Sequence, residues 1–317
     1  MADHADLLRR CWLPGLSQIE ASRNPQDIRL WIASRRYQVY KEATYPVELS
    51  FPDSREICQA FAGEIIRMTL ASLETLISIS GVSRLPRSRA WSVVQWYYAA
   101  FYSAHAILRM CGTSLIQLEA GHVRDIRIIS DLYGYQSQMQ SGFHLVRVQG
   151  QCLLLNKMSG TGGSHEFLWS TFSSFLGQVG SDLLASGGAS RDVQEFVLCL
   201  DNLRSVLNQQ PSRSGAWLSM IRNQVNYRHQ LGVWFPYGPS ENAHDGLHRH
   251  ALARRCRADD IEIVSLATGS ILDSFLSACR YIIALCEDTA VEMQRRSTVR
   301  RPFHDYGISA LRNHVNA

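Results

Sequence analysis

The sequence predicts a mainly α-helical protein, and three runs carry that expectation. Asp53-Ser54-Arg55-Glu56 has the form of a helix cap, and behind it Phe61, Ile65, Met68, Leu76 and Ile79 recur at helical spacing as far as Gly81. The stretch from Ala90 to Leu108 is apolar almost all round, the pattern of a central buried helix. Beyond Leu266, a third apolar face is built from Ile271, Phe275, Ala278, Ile282 and Leu285, widened by Leu272, Leu276, Cys279, Ile283 and Cys286. With 46% hydrophobic residues in 317, there is ample material for a buried core.

Taken in chain order, Asn24-Pro25-Gln26-Asp27 offers an N-cap residue, Pro at the first helical position and an acid in the first turn, so a helix is expected from about 25 to the Arg35-Arg36 region. It belongs to an N-terminal accessory segment, residues 1–50. The first bundle helix runs 54–81. Pro86 and Ser88 punctuate a connection to the aromatic helix, which ends near Gly112. Residues 113–213 have mixed character and read as a long insertion between the second and third bundle helices. Within it Phe143 to Leu155 predicts a short β-hairpin, because Gly150 separates two β-prone runs, and helices follow at about 166–184 and 191–208. The Gly-rich Ser159–Ser164 segment lacks a following Lys-Ser/Thr, so it predicts a flexible loop and no phosphate-cradling loop. A third bundle helix is expected from Ser214 through His229, stopping before Gly232. The aromatic, Pro-rich turn Trp234–Pro239 comes next, then the fourth helix. The predicted architecture is a four-helix bundle over 51–292 with the insertion at 113–213, followed by a basic tail, 293–317.

The formal charge is only +4, and the tail contains Arg295, Arg296, Arg300, Arg301 and Arg312 against Asp305 alone. Such an end suits RNA or another acidic partner, and equally a solvated tail. Of 32 basic residues only Lys41 and Lys157 are lysines; Arg suits bidentate phosphate contacts, although codon usage produces the same bias. The eight cysteines are dispersed with no C-x-x-C, as reduced core residues are. Asp3, Asp6, Arg9 and Arg10 interrupt any leader-like start, and no apolar run reaches membrane-spanning length, so a cytoplasmic protein with no membrane partner is expected. No G-x-S-x-G, H-E-x-x-H or G-x-G-x-x-G sequence occurs.

The chemistry concentrates in the third helix. Arg222-Asn223-Gln224-Val225-Asn226-Tyr227-Arg228-His229 places a guanidinium and an imidazole seven residues apart, two helical turns, with Asn226 between them at i+4. On one face, such a pair suits a phosphodiester. An ordinary imidazole titrates near pH 6.5, suited to general acid–base catalysis worth about 10²–10⁴-fold, while Arg222 stays protonated and pairs with phosphate oxygens as charge builds. On the aromatic helix Gln95, Tyr98, Tyr102, His105 and Arg109 form one stripe, either lining a site beside Arg222 or making a buried, self-satisfied Tyr/His network. His244, His248 and His250 form an H-x3-H-x-H cluster with no obvious further ligands. Beside them Arg249, Arg254, Arg255 and Arg257 suit a polyanion or a solvated loop. No metal site and no cofactor is expected.

Two of these features together resemble the HEPN superfamily. Arg-Asn-x5-His is similar to its R-x4-6-H signature, in which a polar residue such as Asn223 follows the Arg. The Ala90–Leu108 run resembles its aromatic, Ala-rich helix, placed as there before the motif. The likeness covers residues 54–111 and 214–292. It implies a metal-independent endoribonuclease in which the RNA 2′-hydroxyl attacks, Arg222 and His229 catalyse, and Asn223 or Asn226 orients the His or the phosphate. Arg228, Tyr102, His105, Arg109, Arg254 and Arg255 would touch RNA. One His cannot conveniently act as base and acid together, so the resemblance further implies a homodimer, or pairing with a related HEPN chain, that joins two such faces. It also implies a toxin or anti-phage defence role with an antitoxin or defence-system partner. One toxin subgroup carries R-x4-H-x-Y; Leu231 stands at that tyrosine position, and the associated modification is not expected. The alternative is a non-catalytic HEPN-like module that dimerises and binds a nucleotide or partner through the same surface.

Overall fold

The computed structural model describes residues 3–20, 26–39, 45–81, 89–160, 162–187, 190–212, 214–234, 256–299 and 302–311. It is mainly helical with a small five-stranded antiparallel sheet, and it forms two compact units. Residues 1–10, 68–104 and 168–292 make the first; residues 11–67, 105–167 and 293–317 make the second.

The first unit is all helix. It contains α1 (His4–Leu8), and takes its long elements from α3 (Ser54–Gly81), α4 (Ala90–Met110), α6 (Ser164–Gly187), α7 (Arg191–Leu207), α8 (Trp217–Arg228) and α9 (Ile271–Arg296). Ser190 caps α7 by accepting from the Val193 amide. The buried side chains of α7, Val193, Phe196, Val197, Leu200, Leu203 and Val206, recur at three- and four-residue steps and so form one apolar stripe. Trp96, Tyr97, Trp169, Phe172, Trp217 and Phe275 fill the interior. The four helices expected at 54–81, 90–112, 214–229 and 266–292 all exist, with α8 shorter than expected at both ends.

The second unit holds the sheet: β1 (Gln38–Val39), β2 (Val47–Ser50), β3 (Thr113–Leu118), β4 (Gly142–Gln149) and β5 (Cys152–Lys157), in the order β1-β2-β5-β4-β3. Its register aligns apolar residues across strands. Val47 pairs with Leu155 and Leu155 with Val146, and all three are buried, so one face of the sheet is a core face. The expected hairpin is β4–β5. Gln149 and Cys152 pair across a two-residue turn in which Gly150 takes φ +60°, the backbone a tight hairpin requires. The other strands were not predicted, and Thr113–Leu118 had no alternation to reveal it because five of its six residues are buried. Gly112 makes the switch from α4 to β3: its φ is +69°, and a Cβ there would press on Leu13 at 3.3 Å. Helices α2 (Ile28–Ala33) and α5 (Ala120–Leu132) pack together, α5 also meets β1 and β3, and its Val123, Ile126 and Ile129 are buried.

Three boundaries differ from the sequence reading. The N-cap of α2 is Asp27, which accepts from the Leu30 amide at 2.8 Å, and the helix begins at Ile28 instead of about 25. The stretch read as an accessory segment divides, α1 in the first unit and α2, β1 and β2 in the second; the stretch read as an insertion divides likewise. The region read as a basic tail begins inside α9 and continues to Phe303 and Ile308, both buried. All eight cysteines are free thiols, and no helix among the described residues is long and apolar enough to cross a membrane.

Candidate active site around Arg222

Two helices of the first unit build the site. From α4 come the adjacent rings of Tyr97 and Tyr98, 5.4 Å apart and nearly perpendicular; from α8 come Arg222 and Tyr227. The guanidinium carbon of Arg222 lies 5.1 Å from the Tyr97 ring centre and 5.9 Å from those of Tyr98 and Tyr227. This is cation–π range on three aromatic faces. Arg222 is 6% exposed, its Nε has no hydrogen-bond partner, and among the described residues no carboxylate pairs with it. A guanidinium so far from water and without a counter-ion is uncommon, since desolvating a charge is costly unless something offsets it.

Of the three rings, that of Tyr97 lies nearest the cation. Its hydroxyl accepts from the Trp169 indole N–H at 3.0 Å. Burial pushes its pKa up, opposed by Trp169, Ser219 and Arg222, so the group is a neutral phenol beside the guanidinium. Tyr98 and Tyr102 are half-buried, with ring centres 6.4 Å apart.

His229 stands differently from expectation. Helix α8 ends at Arg228, and His229 is the residue that closes it, in left-handed backbone (φ 52°, ψ 34°) with its N–H donating to the Gln224 carbonyl. The two-turn, one-face geometry of Arg222 and His229 is therefore lost at the last residue. The backbone reversal sets the direction of the imidazole, and the ring packs edge-on against Trp234 at 5.4 Å. Trp234 is fixed in turn, its indole N–H donating to the Val225 carbonyl at 2.7 Å. The neighbouring Val233 carbonyl accepts from the Arg89 amide at the start of α4. Leu231 (φ 66°) and Gly232 (φ 64°) are also left-handed, so the whole 229–232 segment is a tight backbone reversal. His229 itself is exposed.

The remaining candidates separate. Asn226 is half-buried one turn beyond Arg222, whereas Asn223 and Arg228 are exposed. Because Arg222 is buried and Asn223 exposed, those two side chains do not share a face. The α4 stripe divides between the units, Gln95, Tyr98 and Tyr102 in the first, His105 and Arg109 in the second. Arg109 is ion-paired with Glu64, both side chains 3% exposed, and its Nη1 lies 2.9 Å from His105 Nδ1. Glu64 also accepts from the Ile28 amide. Burial, then Arg109, then His165 hold the His105 pKa well below its ordinary value, leaving a neutral ring that accepts from Arg109. This is the self-satisfied network, and it leaves neither side chain open to a polyanion. Arg249, Arg254, Arg255, His244, His248 and His250 lie outside the described residues, and no cluster of metal-ligating side chains occurs among the described ones.

Tyr97, Trp169 and Tyr227 were missed as site residues. A stripe drawn through Tyr98 omits Tyr97, one residue earlier, whose ring is the nearest to Arg222; Tyr227 lay inside the motif itself. No family model, curated protein sequence or solved structure matches the chain.

Proposed function

We propose that the chain is a metal-independent endoribonuclease of HEPN type, with Arg222 and His229 as its working pair. One observation carries the reading: Arg222 is nine-tenths buried, stacked among three tyrosine rings, and among the described residues has no carboxylate to neutralise it. A cation held in that condition is prepared to receive an anion, and the chain it belongs to carries an exposed imidazole seven residues on. In the reaction, the 2′-hydroxyl of RNA attacks the adjacent phosphorus and the P–O5′ bond breaks, giving a 2′,3′-cyclic phosphate and a free 5′-hydroxyl. His229 moves the proton at one oxygen, and Arg222 stabilises charge on the non-bridging oxygens. Two oxygens need proton transfer, and a homodimer, or a pair with a related HEPN chain, supplies two imidazoles. A toxin or defence effector, restrained by an antitoxin or triggered with a partner, is the setting that agrees with such an activity.

The left-handed placement of His229 favours a second reading. Its ring packs on Trp234 instead of following Arg222 along the helix, as expected of a non-catalytic module that dimerises and binds a nucleotide or protein. The deciding experiment is incubation of the purified chain with total RNA in EDTA, beside His229→Ala and Arg222→Ala. Cyclic-phosphate ends that vanish in both folded variants support the nuclease. Unchanged cleavage in both removes Arg222 and His229 from the chemistry, and none in the wild type with its dimer intact selects the binding module.

A further inference from the structure

The second unit contains a cavity of about 320 Å³ lined by Ala120, Val123, Arg124 and Arg127 of α5 and by Gln140 and Ser141 of the chain facing it. The α5 residues fall at steps of three and four, so they form one face of the helix. None of the lining residues is acidic. The nearest acids along the chain are occupied elsewhere: Asp125 pairs with Arg35, and Glu119 accepts from the His122 amide in a reciprocal cap.

The groups that face the cavity are donors. Arg127 Nη2 donates to the Met139 carbonyl at 2.6 Å, which pins that guanidinium against the wall. The side-chain oxygen of Gln140 accepts from the Lys157 ammonium, so the half of the amide left for a ligand is its NH2. Ser141 supplies a hydroxyl. Arg124, one turn before Arg127, is exposed and makes no hydrogen bond or ion pair among the described residues. Ala120 sits in the first turn of the 13-residue helix, where the peptide dipoles add positive potential. Two guanidiniums on one wall and an amide and a hydroxyl on the other suit a group with several acceptor oxygens pointing in different directions. A lone carboxylate would be satisfied by a single arginine fork.

We infer that this cavity is a phosphate-binding site, separate from Arg222, for a ligand about the size of one nucleotide. The volume lies at the lower end of small-molecule pockets, which admits a phosphate with a sugar and base and little more. The phosphate belongs either to a free nucleotide or to one unit of an RNA backbone, and the test separates these sources.

The full chain is titrated by calorimetry with inorganic phosphate, a nucleoside monophosphate, and a short 2′-O-methyl oligonucleotide that cannot be cleaved by 2′-hydroxyl attack. At least one probe binds, and Arg124→Glu lowers that affinity about tenfold or more, with Arg124→Lys intermediate because an ammonium cannot chelate two oxygens. Binding of the monophosphate identifies a free-nucleotide site; binding of the oligonucleotide alone identifies the RNA backbone. The binding that counts is the part lost in Arg124→Glu, whereas the nuclease reading is judged by RNA cleavage in EDTA, so failure here and failure of that reading are distinguishable. The inference is overturned if no probe binds at up to about 10 mM, where a site of this kind should begin to fill. It is equally overturned if Arg124→Glu and Arg127→Gln, folded by circular dichroism, bind as the wild type does.

Discussion

At Arg222 the demands of stability and of the proposed chemistry pull apart. Stacking on aromatic faces offsets ~2 kcal/mol of its desolvation, less than the several kcal/mol that burying an ion without a carboxylate partner costs, and no such partner occurs among the described residues. Replacing it by a side chain of similar length without charge, Arg222→Met, should therefore raise the thermal unfolding midpoint and, on the nuclease reading, abolish RNA cleavage. A lower midpoint would mean the cation is what holds Tyr97, Tyr98 and Tyr227 together. His229 makes the same argument through the backbone. A non-glycine residue at φ 52° costs about 1 kcal/mol, so His229→Gly should fold at least as stably as the wild type. Its cleavage rate should fall by about 10²-fold or more if the imidazole transfers protons. Denaturant melts and single-turnover assays on the same preparations measure both halves.

Between elements, two polar ties join segments distant in sequence, one inside each unit. In the second, Glu64 of α3 and Arg109 of α4 meet away from water with His105 and the Ile28 amide. Glu64→Gln removes the charge and leaves Arg109 buried unpaired, a loss expected at about 3–5 kcal/mol by chemical denaturation. The pair variant Glu64→Leu with Arg109→Met should recover most of it; failure to recover would show that the charges specify the packing. In the first unit, Asp288 of α9 accepts from the Ala258 amide at 2.8 Å, and burial, reinforced by Asp3 and Asp259 and opposed by Arg257, pushes its pKa up from 3.8 to about 6. The folded chain therefore keeps this proton in a range where the unfolded chain has lost it. Between about pH 4 and 6 stability falls as pH rises, and above 6 the penalty stays constant. Asp288→Asn keeps an acceptor for Ala258 and removes the charge. It should melt higher than the wild type at pH 7.5 and show a flatter melting profile from pH 4 to 6.

For the molecule as a whole, the nuclease reading demands more than one copy of the site, because a single exposed imidazole cannot serve both oxygens at once. Specific activity should then fall on dilution through the dimer dissociation constant, in parallel with the mass seen by light scattering. Activity per chain that stays constant while the mass halves would remove the dimer from the mechanism. On the same reading chelator should leave the rate unchanged, since the proposed chemistry needs only proton transfer and a fixed guanidinium.

Sequence alone determined the long helices, because their signals are local: the Asp53 cap, the 3.6-residue apolar period before Gly81, the all-round apolar run from Ala90, and Gly150 between two β-prone runs. It also brought Arg222 and Tyr98 forward as residues of interest. Only the tertiary structure decided which of them meet. The strands β1 and β2 are too short for a pattern to stand out and β3 is almost uniformly buried, so no sustained alternation announces them, and the pairing of β2 with β5 links residues more than a hundred positions apart. One stripe of α4 reads as continuous along the helix, yet Glu64, supplied by another helix, takes Arg109 and His105 into a closed network while Tyr97 and Tyr98 receive Arg222. And the spacing of Arg222 and His229 implies a shared face only while the helix continues. It stops at Arg228, where a left-handed residue turns the chain toward Trp234, and a count of residues cannot foresee that reversal because it depends on what the next segment packs against.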